Sequence, residues 1–118
     1  MSINLKDLRE AIVFDLYQYD LMNKEVTDLL TLEIIDKIDD IDDVIASNLF
    51  NYSIERLGFL DRAIIRLATY ELMETETASA IIIDEAVNLS KKYTDLDDEK
   101  QHKFNNKLLD NISKNIRG

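Results

Sequence analysis

The most informative stretch of the chain is RLGFLDRAIIRLATYEL, residues 56–72. Its apolar residues recur at the three- and four-residue spacing of an amphipathic helix. A second amphipathic helix is predicted shortly after it, for IIIDEAVNLSKKY at residues 81–93. Two consecutive helices of this kind need further apolar faces to pack against, so the pattern favours an all-α fold.

Arg62 and Arg66 lie one helical turn apart in the first of these helices. Two guanidinium groups on one face could clamp a phosphate. They could equally bridge to Glu55 or Glu71, across a turn or between helices. We interpret the two arginines as structural residues.

The remaining sequence also predicts helices. The chain of 118 residues has no Pro and only two Gly, so the strongest helix breakers are missing. Periodicity predicts helices at residues 4–22, 25–37, from within 36–43 onward, 53–57, 62–73, 81–93 and 98–115. Ser53 and Asp61 are the predicted N-caps, Gly58 is predicted to end the short helix, and 74–80 is the predicted loop. We expect one all-α domain of about seven helices over residues 1–118.

Charge is distributed unevenly along the chain. The formal net charge is −10, and residues 1–60 carry five basic and 13 acidic side chains, whereas residues 61–118 carry nine basic and 11 acidic. Proteins that bind nucleic acid usually show the opposite sign, because phosphate contacts dominate their affinity. The chain as a whole is therefore a poor match for RNA, although a local basic patch could still bind it.

Composition also limits the location and the chemistry of the protein. The chain has no cysteine, which excludes disulfides and thiolate metal sites. No apolar run approaches the roughly 18–20 residues that a membrane span requires. We expect a soluble cytoplasmic protein with no membrane segment.

Catalytic and metal-binding patterns are weak. With one histidine, no cysteine, no glycine-bracketed serine and no phosphate-binding glycine loop, the sequence predicts no enzyme and no cofactor. His102 is interpreted as a solvated surface histidine. The acidic segments 36–43 and 95–99 are interpreted as helix caps and turns rather than metal sites. A calcium loop starting at the second segment would need Gly and Glu where Lys100 and Asn106 stand.

The last helix carries a basic face. Its lysines step by three, four and seven residues: Lys100, Lys103, Lys107 and Lys114. The opposing apolar stripe consists of Phe104, Leu108, Ile112 and Ile116. A lysine face is most simply a solvated surface, but it becomes an RNA groove if Lys6 and Arg9 converge on it. Tyr17 and Phe104 could stack on unpaired bases, or they could belong to the core.

Several motifs in order resemble the NusB family of bacterial transcription antitermination factors. Residues 9–20 match its RxxxVxxLYQxD pattern, and residues 56–72 match its RLxxxDRxILRLAxYEL pattern. Its INEAVELAK appears as IDEAVNLSK at residues 83–91, and its FVNGVLD appears as FNNKLLD at residues 104–110. The resemblance covers nearly the whole chain, and its departures are the reduced N-terminal basic cluster and the loss of Val and Gly from the last motif.

The resemblance implies a fold of two packed three-helix bundles and a non-catalytic role. Family members bind a boxA element of nascent RNA together with the ribosomal protein NusE, and thereby act on the RNA polymerase elongation complex. Homodimers also occur in the family. Motif position implies RNA contacts at Lys6, Arg9, Tyr17, Lys103 and Phe104. With the lysine face added, the predicted RNA-binding residues are Lys6, Arg9, Tyr17, Lys100, Lys103, Phe104 and Lys107.

Two alternatives remain at this point. The first is a NusB-like protein-interaction module that has lost autonomous RNA binding. The second is the RNA-binding domain of ribosomal RNA cytosine methyltransferases, which shares the fold. The second is disfavoured, because we expect the chain from Met1 to Gly118 to be complete, without a methyltransferase domain or a cysteine nucleophile.

Overall fold

The computed structural model describes residues 4–96 and 99–118. Within them lie six α-helices and one 3₁₀ turn: α1 (Leu5–Met22), α2 (Leu29–Asp36), α3 (Ile38–Ser47), the 3₁₀ turn (Ile54–Arg56), α4 (Phe59–Glu74), α5 (Ser79–Tyr93) and α6 (Lys100–Arg117). They match the seven predicted segments, the shortest being a 3₁₀ turn rather than an α-helix. The all-α prediction is confirmed. No helix in this part of the chain combines the length and the apolar character that crossing a membrane demands.

The central helix of the fold is α4, which is buried along most of its length. It packs against α1 and α3 of the N-terminal half and against α5 and α6 of the C-terminal half. α4 thus joins the N-terminal helices α1–α3 to the C-terminal helices α5 and α6. Side chains with no exposed surface come from both halves of this core, among them Val13, Ile34, Ile65, Leu109 and Ile112.

The start of α2 differs from its prediction, since residues 25–28 are not helical. α1 ends where Asn23 adopts a left-handed conformation, with a φ of 55°. The Asp28 side chain then accepts a hydrogen bond from the Thr31 backbone N–H at 2.9 Å, which makes Asp28 the N-cap of α2. The polar cap, rather than the apolar pattern, decides where this helix begins.

The predicted beginning of α4 is also wrong. The helix starts at Phe59, directly after Gly58, so Gly58 precedes this helix and does not end the short one. Asp61 lies within the first turn and does not cap it, because its buried side chain is turned toward α6. Ser53 stands at the predicted position before the 3₁₀ turn, but its side chain forms no capping hydrogen bond.

Replacing Thr69 with valine is expected to stabilise the fold by about 1 kcal/mol. The Thr69 side chain is fully buried in α4, and its hydroxyl has no hydrogen-bond partner among the described residues. An unpaired buried hydroxyl costs roughly 1–3 kcal/mol, whereas valine has nearly the same shape and no polar atom. Urea denaturation would measure the change.

Thr31→Val provides the matched control for this prediction. Thr31 is equally buried, but its hydroxyl donates to the Asp28 carboxylate at 2.9 Å. Its replacement should therefore destabilise the protein. A similar loss of stability in both variants would contradict the assignment of Thr69 as an unpaired group.

Candidate nucleic-acid interface

A groove of about 410 Å³ lies between the first half of α6 and the segment that follows α3. Its lining includes three aromatic rings, Phe50, Tyr52 and Phe104, and two lysines, Lys103 and Lys107. The two lysines are four residues apart on α6, which places them about 6 Å apart along the helix axis. The structure therefore brings three of the predicted RNA-binding residues together in one groove.

Among the described residues, the two lysines of this groove lack the carboxylate partners that Arg9, Arg62 and Arg66 have. Lys103 and Lys107 are exposed and form no ion pair with any described residue. Lys100 is exposed at the first position of α6 but does not line the groove. The groove thus presents aromatic rings beside two cations that the described acidic side chains leave uncompensated.

Lys6 lies elsewhere, in the first turn of α1. It is exposed and lines a separate groove of about 200 Å³ between α1 and α5, together with Glu10 and Lys92. Lys92 is paired there with Glu10 at 3.1 Å. Lys6 therefore does not converge on the groove of α6, and its contact with RNA stays a prediction.

Arg9 is engaged with the central helix. Its Nε and Nη2 donate to the Glu71 carboxylate at 3.0 and 2.9 Å, and the two side chains are only 12% and 13% exposed. The hydrogen bond with Glu71 raises the pKa of Arg9 above its ordinary value, against the effect of burial. Tyr17 is half-buried and packs against the core. Neither residue lines the α6 groove, so their RNA contacts also stay predictions.

Arg62 and Arg66 have the structural role that we favoured, but with other partners. Arg62 donates to Asp20 at 3.0 Å and to the backbone carbonyl of Glu55 at 3.1 Å. Arg66 donates to Asp42 and to Asp20. The predicted bridge to Glu55 is thus made by Arg62 alone, through the backbone carbonyl, and the described contacts of the two arginines do not include Glu71, because Asp20 and Asp42 reach them from α1 and α3.

The interpretation of His102 as a solvated histidine was wrong. Its side chain is 12% exposed, and its Nδ1 lies 2.6 Å from Oδ2 of Asp95. The His102 backbone N–H also donates to Oδ1 of Asp95 at 2.8 Å, so Asp95 covers an otherwise unpaired donor in the first turn of α6. Partial burial opposes the charge on Asp95, but the hydrogen bonds from His102 outweigh it and lower the pKa of this carboxyl.

A buried polar network fixes the orientation of α6. Asn105 is fully buried, and its Nδ2 donates to Asp61 at 3.0 Å and to Ser90 at 2.9 Å. Burial raises the pKa of Asp61, and hydrogen bonds from Thr94 and Asn105 act against that rise. Asn105 therefore ties α6 to both α4 and α5. The sequence signal for this was a polar residue among the apolar positions of the last helix.

Acidic side chains are numerous, but they do not cluster into a metal site in the described ranges. No group of three or more His, Cys, Asp or Glu side chains that could hold a metal ion occurs within residues 4–96 and 99–118. Residues 97 and 98, which belong to the predicted acidic turn, lie outside the described residues.

The fold and the groove define a small all-helical protein with a groove that is lined by aromatic and basic side chains. The NusB family model matches residues 4–114, and the chain belongs to the NusB family. It is 36% identical to the transcription antitermination protein NusB of a Nitratiruptor species, over 92% of this chain and 91% of that protein. The corresponding protein of Clostridium botulinum is 34% identical over 97% of this chain and 87% of its own length.

Solved structures agree with this assignment. NusB of T. maritima superposes with a TM-score of 0.82 at 30% identity, covering 97% of this chain and 93% of its own. A protein chain in the crystal structure of a plectonemic RNA supercoil superposes with a TM-score of 0.79 at 27% identity, over 94% of both chains.

Proposed function

We propose that this chain is a transcription antitermination protein that binds single-stranded RNA through the α6 groove, without a catalytic step. The observation that carries the proposal is the placement of Lys103, Phe104 and Lys107 along one groove, with no described ion pair on either lysine. Membership of the NusB family supports the same function. The RNA is of the boxA type, and the protein acts in the cytoplasm on the RNA polymerase elongation complex.

The arrangement of charge explains how an acidic protein can bind RNA. Several acidic side chains are already compensated by arginines, as in the pairs of Arg9 with Glu71 and Arg66 with Asp42. The lysines of the groove keep their charge available for phosphate. With the predicted contacts of Lys6 and Lys100 added to these two lysines, about three to four phosphates are contacted, and the logarithm of the binding constant should fall with the logarithm of the salt concentration with a slope of about −2 to −3.

NusE is the proposed protein partner in this function. A net charge of −10 limits the affinity of the isolated chain for RNA, because the overall field repels phosphate. A basic partner surface next to the groove would offset that repulsion. We therefore expect tighter binding of RNA when NusE is present.

One observation favours the second candidate, a protein-interaction module without autonomous RNA binding. Arg9, a residue that the family resemblance assigns to RNA, is bound in a bidentate interaction with Glu71. In that case NusE would still associate with the chain, and the chain would not bind RNA. Titrating labelled RNA with the chain alone and with NusE separates the two functions.

The double substitution Lys103→Gln with Lys107→Gln is expected to weaken RNA binding at least tenfold at low salt. Removing two phosphate contacts should also make the salt slope shallower by about 1.4, since each contact to a single strand contributes about 0.7. Fluorescence anisotropy of a labelled boxA-type RNA at several salt concentrations measures both quantities.

Lys114→Gln is the matched control, since Lys114 lies on the same helix but is paired with Asp110 and does not line the groove. It should leave the affinity and the slope close to those of the original protein. An unchanged slope in the double variant would show that the groove lysines do not contact phosphate.

A further inference from the structure

The wall of the groove that faces α6 carries aromatic residues that the family resemblance did not assign. Phe50 and Tyr52 line the groove from the short segment after α3. Asn51 stands between them in the left-handed conformation, with a φ of 55°, which asparagine tolerates better than most residues. The local backbone thus holds two aromatic residues of this segment at the same groove.

Tyr52 is fixed in place by three contacts. Its hydroxyl donates to the backbone carbonyl of Arg56 at 2.9 Å. The Arg56 guanidinium lies over the Tyr52 ring, 4.9 Å from its centroid. The Phe104 ring, which comes from α6, lies 5.3 Å from the Tyr52 ring, with the two planes inclined by 49°. Tyr52 and Phe104 therefore form a preorganised pair of rings in contact with each other, here called the aromatic floor of the groove.

Phe50 has the opposite character. Its side chain is 79% exposed, and it takes part in no ring contact among the described residues. A phenylalanine that leaves this much apolar surface in water gains most when a flat ligand covers it. Phe50 lines the same groove as the Tyr52 and Phe104 rings, so its exposed face is available to a ligand bound there.

We propose that this groove holds one unpaired nucleobase of the bound RNA, stacked on Phe50 above the floor of Tyr52 and Phe104. Lys103 and Lys107 then contact the phosphates on either side of that nucleotide. This inference rests on the proposed function, because it names the part of the RNA that occupies the groove. The base must be unpaired, since both faces of a base within a duplex are covered by its neighbours.

The chemistry of the lining favours RNA over an apolar peptide as the occupant. Stacking on aromatic rings accommodates any base, because each base has two flat π-faces. The same ligand also brings anionic phosphates to Lys103 and Lys107. An apolar peptide would use the rings alone and would leave both cations without an anionic partner.

Replacing Phe50 with alanine is expected to weaken RNA binding about tenfold, in keeping with the loss of one stacked base. The probe is a labelled boxA-type RNA, titrated with NusE present and followed by anisotropy. Because Phe50 is so exposed, the fold should be preserved, and circular dichroism checks this. Leu29→Ala is the control, since Leu29 is 84% exposed on α2 and does not line the groove.

A second series of titrations identifies the stacked base. It uses RNAs in which a single nucleotide at each position in turn lacks its base. At one position the abasic RNA should bind the original protein at least about tenfold more weakly, whereas the same loss of the base should cost the Phe50→Ala variant clearly less, because only the contacts with Tyr52 and Phe104 are then left to lose. Such non-additivity is expected only if Phe50 and that base contact each other.

Each other outcome overturns the inference in a distinct way. If Phe50→Ala binds RNA like the original protein while the double lysine variant does not, the groove binds phosphate only and the proposed function survives. If Phe50→Ala loses affinity for NusE but not for RNA, the groove is a protein-docking site. If the original protein with NusE present binds no RNA, both the inference and the proposed function are wrong.

Discussion

Replacing Arg66 with alanine is expected to lower the free energy of unfolding by about 3 kcal/mol. Arg66 Nε and Nη2 donate to the two carboxylate oxygens of Asp42 at 2.9 and 2.8 Å, and Nη1 donates to Asp20 at 3.2 Å. Removing one partner of a buried ion pair costs roughly 3–5 kcal/mol, because the remaining charge is left without compensation.

The lower end of that range applies here because the acidic partners are partly hydrated. The Arg66 side chain is 9% exposed, but those of Asp42 and Asp20 are 27% and 21% exposed. Burial opposes the charge on Arg66, yet Asp42 and Asp20 outweigh it and raise the pKa of the guanidinium. After the substitution Asp20 would still be paired with Arg62, whereas Asp42 would lose its described partner.

Two further variants make the test specific. Arg66→Lys keeps the charge but cannot form the two parallel hydrogen bonds to Asp42, so it should lose an intermediate amount of stability. Lys114→Ala removes an exposed pair with Asp110 and should change stability by less than about 0.5 kcal/mol. Urea denaturation of the three variants gives the comparison. Equal effects of Arg66→Ala and Lys114→Ala would show that the network joining α1, α3 and α4 contributes no stability.

Replacing Arg117 with alanine is the second large change, with an expected loss of about 2 kcal/mol. Arg117 lies in the last turn of α6 and hydrogen-bonds five acceptors. They are the backbone carbonyls of Glu71, Leu72, Thr75 and Thr77 and the hydroxyl of Ser79, at 2.6 to 3.2 Å. One side chain thus joins the end of α4, the connection to α5 and the start of α5.

Arg117 stabilises the fold because it binds at the carboxyl end of α4. The last carbonyls of a helix have no partner within it, and the helix dipole places partial negative charge there. Arg117 brings a cation to this end and donates to two carbonyls of the last turn, those of Glu71 and Leu72. Hydrogen bonds to a charged group contribute roughly 1.5–3 kcal/mol, but water can replace part of this one because the site is near the surface.

Arg117→Lys tests the geometry apart from the charge. A lysine keeps a cation near the end of α4, but its single ammonium group cannot hydrogen-bond all five acceptors at once. Arg117→Lys should therefore recover less than half of the stability lost in Arg117→Ala. Thermal denaturation would measure both variants. A change below about 0.5 kcal/mol in Arg117→Ala would contradict the role of Arg117 as the link between α6 and the end of α4.

The helices were predictable because their apolar spacing is a local property of the sequence. The helix boundaries were less so, since they depend on where polar side chains find partners. Asp61 shows this: its sequence position suits an N-cap, but Asn105, 44 residues away, binds its carboxylate. Asp28 was overlooked as a cap because Val26, three residues before Leu29, continued the helical pattern.

The candidate site was predictable only on α6. Lys103, Phe104 and Lys107 follow one another at helical spacing, so their proximity needs only the helix. Arg9 was assigned to RNA by motif position, but its partner Glu71 lies 62 residues further along the chain. Phe50 was missed because it lies in a segment without periodicity, where the sequence alone does not show what it faces.

The central claim is that this chain binds boxA-type RNA through the α6 groove as a NusB-family antitermination protein. The most direct measurement is the anisotropy of a labelled boxA-type RNA, titrated with the chain alone and with NusE present, at two salt concentrations. Sequence-selective, salt-dependent binding that NusE strengthens, and that the Lys103→Gln and Lys107→Gln double variant weakens, is the predicted result. Intact association with NusE and no RNA binding in either setting would contradict the claim and leave a protein-interaction module.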